Sequence, residues 1–406
     1  MKNIILSIDL GFNGIKGIVG TPESALFAFH LFDDIVDITG KKSVGAGSET
    51  VLSNSVIIKD ENQESFIVGN EAKRYLRTGR IEKMKNTDFY SYNTAAEESA
   101  YKRFTTPLFK KVQLAAIQQG LVILSLMKGY EDVLTSNDYS FDISFQLPIA
   151  ISGAGSSYRT ILEENIKKDN NLSFQCFTES GKSEILTLPE NIRKADIHFS
   201  AQAVDTFFCE LESDDNIQLP ALVLDCGGRT IGITFIEETM EIRPGYESNT
   251  EFAIDNVNMA TYNKLKEIMG EEGIEFSGLT EENIEEYASS EKGKQVSYLN
   301  KSKEIVDINI TEIYNQEAEK KAHELYNYLK NNKEHLKSLV QSRTILVSGG
   351  TGNRYYITLK NDIAEIMKDK TPVVLAKGES NGHEFGPIFS VALGGFKRVV
   401  YEKFLN

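Results

Sequence analysis

The chain opens on an apolar run, residues 4–9, that ends on Asp9; a Gly/Asn turn follows, and a second apolar run covers 15–20. This pattern predicts two strands around a tight turn. The stretch SVIIKDENQESFIVGNEAKRYL (55–76) predicts strand, polar turn and strand, then a helix with Asn70 as its N-cap. Residues 106–128 predict a long apolar helix, and 139–151 a strand with at least one buried face. A Ser-capped helix over 156–169, a hairpin made of LSFQCFTE and SEILTLP, and a helix over 200–212 come next. ALVLDCGGRTIGITFIEE (221–238) then repeats the opening: an apolar strand, a terminal Asp, a glycine turn and a second strand. Two such units predict two related domains facing one ligand.

Residues 252–269 and 280–338 read as helical and charge-rich. Ile313, Leu325, Tyr328, Leu329, Leu336 and Leu339 form one buried stripe there. RTILVSGGTGNRYYI (343–357) predicts a strand, a glycine loop and a helix; 371–376 predicts a short strand. A final helix is expected over 386–404, interrupted or started near Gly394–Gly395.

At 406 residues the chain exceeds what one hydrophobic core usually covers, so two domains are expected. A net charge of −15 argues against broad nucleic-acid binding, which needs a basic face. It leaves room for an anionic ligand held locally by backbone N–H groups and a metal ion. Three scattered cysteines and five histidines without ligand spacing give neither a disulfide framework nor a zinc site. Asp9 interrupts the first apolar stretch too early for a signal peptide, and 114–129 falls short of a membrane span. A reducing, cytoplasmic location is expected.

Holding a phosphate chain without a basic surface requires close backbone approach, hence glycine. Neither a Walker P-loop nor a Rossmann glycine fingerprint is present. Instead, glycine turns at 11–14, 227–228 and 349–352 each follow an apolar strand. Asp9 and Asp225 end two strands expected to flank a cleft, where one or two carboxylates suffice to hold hydrated Mg²⁺. Lys16 is placed to neutralise a phosphate oxygen.

With these motifs in hand, the chain resembles the actin/Hsp70/sugar-kinase superfamily. Asp9, Gly11 and Lys16 match its first phosphate motif; Asp225, Gly227, Gly228 and Thr230 match the second; Ser348, Gly349, Gly350 and Thr351 match the adenosine motif. Within the superfamily it is most similar to plasmid-segregating actin-like ATPases of the ParM type, through FIVGNEAKR, LPIAISG and GESNGHEFGPIFSVALGG. The resemblance implies an α/β, two-domain actin-like (ribonuclease-H-like) fold with nucleotide in the interdomain cleft. Domain I is expected over 1–215 and 384–406, and domain II over 216–383.

The implied nucleotide-binding set is Gly11, Phe12, Asn13, Gly14 and Lys16, then Gly227, Gly228, Arg229 and Thr230, then Ser348, Gly349, Gly350, Thr351 and Asn353. The resemblance also implies ATP and Mg²⁺, with Asp9 and Asp225 holding the metal through water and Gln202 orienting the hydrolytic water. Three departures stand out. Gly232 replaces an Asp found in many members. Phe12 replaces a hydroxyl residue. Arg229 replaces a small residue, with two readings open, a phosphate contact or a solvated side chain, the second preferred. Glu251 is a guess for the ribose contact.

The implied function is ATP hydrolysis coupled to assembly of a dynamic homopolymer filament. Plasmid DNA would be gripped through a DNA-bound adaptor protein, without direct DNA or membrane contact. The alternative is a small-molecule kinase of the same superfamily. It would need a carboxylate base, and Gln202 is a poor one. An Hsp70-like chaperone and a membrane-bound shape filament rank lower.

Overall fold

The computed structural model describes the chain except residues 12–13, 41–53, 78–100, 169–170, 179–180, 212–216, 271–278, 295, 368–370 and 406. Phe12 and Asn13 therefore lie outside the described residues. The chain forms two units, Met1–Ser213 with Lys377–Asn406, and Asp214–Ala376. The two crossings were expected after residues 215 and 383.

The first unit is built on β1 (Lys2–Asp9), β2 (Ile15–Thr21) and β3 (Ser24–Leu31). Strands β4 (Ile35–Asp37), β5 (Ser55–Lys59) and β6 (Ser65–Gly69) follow. Then come β7 (Tyr139–Leu147), β8 (Ser173–Thr178), β9 (Gly181–Lys182) and β10 (Asp196–Ala201). One sheet has the order β10-β7-β1-β2-β3, and a second has the order β4-β6-β5-β8-β9. Strand β1 is buried on both faces, as its unbroken apolar run requires. Ile4, Leu6 and Ile8 join the core that holds Phe109, Val112 and Ile117 of the helix Pro107–Ser125. Ile5, on the other face, packs with Leu393 and Phe396 of the helix Ser390–Val400. Strand alternation puts Asp9 on the Ile5 face.

The second unit carries β11 (Ala221–Cys226), β12 (Ile231–Ile236), β13 (Glu247–Asn249), β16 (Thr344–Ser348) and β17 (Val373–Leu375) in one sheet. Its order is β13-β12-β11-β16-β17. A hairpin of β14 (Val296–Leu299) and β15 (Ile305–Ile308) stands apart from it. In chain order, the main sheets of both units stack third, second, first, fourth, fifth. The first three strands are antiparallel and the last two parallel in each. The correspondence extends to single positions. Asp9 lies opposite Lys16 and Gln146, while Asp225 lies opposite Gly232 and Ser348. The strand-Asp-turn repeat in the sequence is thus a repeat of topology.

Several expectations are corrected. The strand expected over 139–151 ends at Leu147, and Pro148 turns the chain into the short helix Ile149–Ser152. Proline has no N–H to give a strand neighbour and suits a helix start. SEILTLP forms no hairpin strand: β8 pairs with Gly181–Lys182, and Leu186 adds one bridge to Phe174. The region 280–338 is helical only in part, because the β14–β15 hairpin interrupts it. Alternating Val/Tyr and Ile/Val positions override the charge-rich helical reading there.

The last helix does not break at Gly394–Gly395 but runs through them from Ser390 to Val400. A Cβ on Gly394 would fall 1.7 Å from the Asp205 carbonyl oxygen, and one on Gly395 would fall 2.0 Å from Gln146 Nε2. The pair is there for close approach of this helix to the helix Gln202–Leu211 and to the sheet. At the end of that second helix, the buried Glu210 accepts hydrogen bonds from the backbone N–H groups of Lys377 and Gly378, both at 3.1 Å.

Asp205, on the same helix, is fully buried. The Ser200 hydroxyl donates to its Oδ2, and Arg398 Nη1 lies 3.7 Å from its Oδ1. Burial outweighs both and pushes its carboxyl from 3.8 up to about 7. The folded protein then keeps a proton that the unfolded chain releases near 3.8, so this group's stabilisation is lost as pH rises from about 4 to about 7. Asp205→Asn should remove that loss. Urea midpoints across this range should show the variant gaining on the wild type by roughly 3 kcal/mol. Parallel curves would mean that Asp205 is ionised in the folded state at all these pH values.

Candidate functional site

In the first unit the site is built around Asp9. It is buried, 6% exposed, and Gln202 Nε2 donates to its Oδ1 at 2.7 Å. Burial pushes the Asp9 carboxyl up, against the pull of Lys16, of the Gln202 hydrogen bond and of Arg103. Gln202 reaches it because β10, two strands from β1, ends at Ala201 and passes directly into the helix Gln202–Leu211. Lys16 Nζ covers the first turn, 2.7 Å from where a Gly11 Cβ would stand. Gly14 is buried beside it.

The side chain that shapes this turn went unnoticed in the sequence. Arg103 is buried, and its Nη2 donates to the carbonyls of Leu10 at 2.7 Å and Gly11 at 2.9 Å. Its Nη1 donates to Asp33 Oδ2 at 2.8 Å. A carbonyl oxygen beside a phosphate repels it; here two such oxygens are turned onto a guanidinium. No motif surrounds Arg103 in the sequence, and only the tertiary fold brings it to a turn some ninety residues away.

In the second unit, the two remaining glycine turns come together at the ends of neighbouring strands β11 and β16. The Ser348 hydroxyl donates to Asp225 Oδ1 at 3.2 Å. Gly227 N–H donates to the carbonyls of Asp225 (3.1 Å) and Thr230 (3.0 Å), closing the second turn. Thr351 donates from its N–H to the Cys226 carbonyl (3.1 Å) and from its hydroxyl to the Gly227 carbonyl (3.4 Å). The Gly228 carbonyl accepts from Asp255 N–H at 3.0 Å. The carbonyls of this turn are therefore also turned inward.

Gly349 has φ +83°, and a Cβ there would sit 2.4 Å from the Cys226 carbonyl oxygen, so only glycine lets the two turns touch. Arg229, read as a solvated side chain, is about one-third exposed and pairs with the half-exposed Asp255, Nε to Oδ2 at 3.6 Å. The helix Ile254–Met269 brings that acid back beside the turn, a long-range neighbour that local sequence does not reveal.

A cavity of about 470 Å³ adjoins the third turn. Gly350 and Asn353 line it, together with Glu285, Ser289, Asn315 and Arg354. Arg354 is held in a fork, Nη1 to Asn315 Oδ1 at 2.9 Å and Nη2 to Ser289 Oγ at 2.8 Å, over the Tyr314 ring. Glu251 does not line this cavity; it is exposed on the turn before the helix Ile254–Met269. No local motif marks Glu285, Ser289 or Asn315, which come from the helices Ile284–Ser289 and Ile310–Asn331 on either side of the hairpin.

Among the described residues no group of three or more His, Cys, Asp or Glu side chains gathers to hold a metal. Asp9 and Asp225 each offer a hard carboxylate at the mouth of a turn. Burial disfavours the charge of Asp9, so a cation beside it would be stabilising. Either carboxylate, taken within its own unit, is the kind of donor that suits Mg²⁺ held mainly through its own waters.

No protein-family model matches the sequence, and no curated protein matches it significantly. Solved structures do match over the whole chain. A 15-stranded ParM filament from Clostridium botulinum is similar with TM-score 0.60 at 17% identity, covering 98% of this chain and 99% of its own. The fold is actin-like. Bacillus thuringiensis ParM with ATP has TM-score 0.61 at 13% identity, covering 100% of both chains. An archaeal actin homolog gives 0.61 at 14% identity with the same coverage. The actin-like fold accounts for the paired sheets of equal strand order. No described helix is long and apolar enough to cross a membrane.

Proposed function

We propose that this chain is an ATP-hydrolysing actin-like protein that polymerises into dynamic filaments and segregates plasmid DNA through a DNA-bound adaptor protein. The observation that carries the nucleotide part is the treatment of the turn carbonyls. Those of Leu10 and Gly11 in one unit, and of Cys226, Gly227 and Gly228 in the other, are hydrogen-bonded within the protein. Turn carbonyls taken out of water need partners in any fold, and these partners also turn repulsive dipoles away from a bound polyphosphate.

The phosphates are taken by Gly11, Gly14 and Lys16 of the first turn and by Gly227, Gly228 and Thr230 of the second. Phe12 and Asn13 belong to the same proposed set by sequence alone. Ser348, Gly349, Gly350 and Thr351 bring the adenosine to the cavity of the second unit. There Asn353 and the flat guanidinium of Arg354 suit a base, and Glu285 suits ribose hydroxyls. Asp9 and Asp225 would hold Mg²⁺ through water; when bound, it neutralises charge on the phosphates. Gln202, steadied by donating to Asp9, keeps its carbonyl oxygen to accept from a water and orient it for attack. Phosphoryl transfer asks mainly for such positioning.

Likeness to a ParM filament supports the assembly part. ATP-bound subunits would join and ADP-bound subunits leave by a head-to-tail contact that does not close. The net charge of −15 favours DNA contact through a basic adaptor over direct binding, and a cytoplasmic location is part of this reading. Light scattering with pelleting of the purified protein tests the reading. ATP–Mg²⁺ should give a fast rise that decays as phosphate is released; ATP with EDTA should give none. A flat trace at every protein concentration up to tens of micromolar sinks it and favours an acceptor screen for a kinase.

A further inference from the structure

The β14–β15 hairpin turns one face inward and one outward. Tyr298 and Ile308 are buried, and the Tyr298 hydroxyl donates to the Ile268 carbonyl at 3.2 Å, seating the hairpin on the end of the helix Ile254–Met269. The outward face needs no apolar residue. Its inner rung obeys that rule, with Ser297 opposite Asp307 and joined to it by a hydrogen bond. Its outer rung does not. Leu299 and Ile305 stand directly opposite each other, 52% and 74% exposed. Single exposed aliphatics are common on surfaces, but a cross-strand pair at a hairpin tip is a small sticky edge that soluble proteins usually blunt.

The tip is also held rigid. Asn300 Oδ1 accepts from the N–H groups of Ser302 and Glu304, both at 2.9 Å, and the Lys303 N–H donates to the Asn300 carbonyl. Two exposed lysines, Lys301 and Lys303, project from it. Exposed Glu304 stands beside them, and from residue 291 to 307 the sequence has four lysines against three acids, Lys294 pairing with Glu291, in a chain whose net charge is −15. An apolar pair flanked by lysines on an otherwise acidic molecule complements the acidic surface of another copy of that molecule.

We infer that this hairpin tip is a subunit contact, docking on an acidic face of a second copy of the chain. The inference deepens the filament reading and rests on it. It identifies Leu299 and Ile305 as the apolar anchor, with Lys301 and Lys303 supplying steering and orientation. The rigid turn spares the contact the entropy of ordering a loop.

The test compares three proteins in ATP–Mg²⁺ pelleting and in nucleotide binding: wild type, Leu299→Thr/Ile305→Thr, and Lys301→Glu/Lys303→Glu. Threonine keeps strand propensity, and the lysines are exposed, so both variants should fold and bind nucleotide as wild type does. Each should raise the concentration needed for assembly at least about tenfold. Added salt should weaken wild-type assembly and have less effect on the charge-reversed variant. If wild type assembles and both variants assemble alike, the hairpin is not a subunit contact although the filament reading stands; such a result would point to a different partner for the tip. If wild type does not assemble under any condition, the filament reading itself falls, and this inference with it. Should the threonine variant lose nucleotide binding, the lysine variant decides alone.

Discussion

Replacing Gln202 with alanine should lower ATP hydrolysis about 10²–10³-fold and leave nucleotide affinity within about threefold. The amide sits at the start of its helix and donates to Asp9 Oδ1 at 2.7 Å, so its orientation is set before any ligand arrives. Losing it removes the group that would position the attacking water, but none of the turns that would grip the phosphates. The binding and chemical steps should therefore separate. Mixing the variant with ATP–Mg²⁺ should give scattering that rises as in wild type and then persists, because the decay depends on hydrolysis. Single-turnover phosphate release measures the rate directly. An unchanged rate would remove Gln202 from the chemistry and leave its bond to Asp9 a structural one.

Arg103→Met should destabilise the first unit by about 3–5 kcal/mol, the range for removing one partner of a buried ion pair. Methionine fills much of the volume but leaves Asp33 and the carbonyls of Leu10 and Gly11 without the cation that holds them. Arg103→Lys keeps the charge and loses the planar fork, so it should recover only part of the stability. Urea unfolding followed by probes in each unit should show the shift in the first unit, since two units need not unfold in one step. Nucleotide affinity should fall at least about tenfold in Arg103→Met, as the turn carbonyls regain their freedom to face the phosphates. Equal midpoints for wild type and Arg103→Met would show that the guanidinium is dispensable to the turn.

What the sequence discloses and what it hides divides along a physical line. The apolar runs of β1, β2, β11, β12 and β16, and the glycines behind them, are local signals: burial on both faces demands an unbroken run, and a tight turn demands glycine. Those elements were legible; the meeting of Asp225 with the turn at Ser348–Thr351 was not, since it follows from the pairing of β11 with β16. Arg103, Glu285, Asn315 and the Arg229–Asp255 pair are different. Each acts across a long stretch of chain, and nothing beside it in sequence distinguishes a buried arginine from a solvated one. The β14–β15 hairpin was missed for another reason. Its strands are short and lie within charged helical sequence, so the longer period prevailed in the reading. Gly394–Gly395 misled because glycine commonly ends helices; here it answers to a neighbouring helix instead.

The grip of Glu210 on Lys377 and Gly378 has a consequence for the molecule's modularity. The second unit is one uninterrupted stretch of chain, and this carboxylate, on the last helix before it, holds the first two residues after it. In architectural terms the second unit is an insertion into the first. The helix that finishes the first half of the first unit lies a hydrogen bond away from the segment that starts its second half. A short splice from the end of that helix to Lys377 would ask little of the backbone, since the path is already closed in the native fold. The actin-like architecture here can thus be described as a host domain carrying a topological copy of its own sheet as a guest.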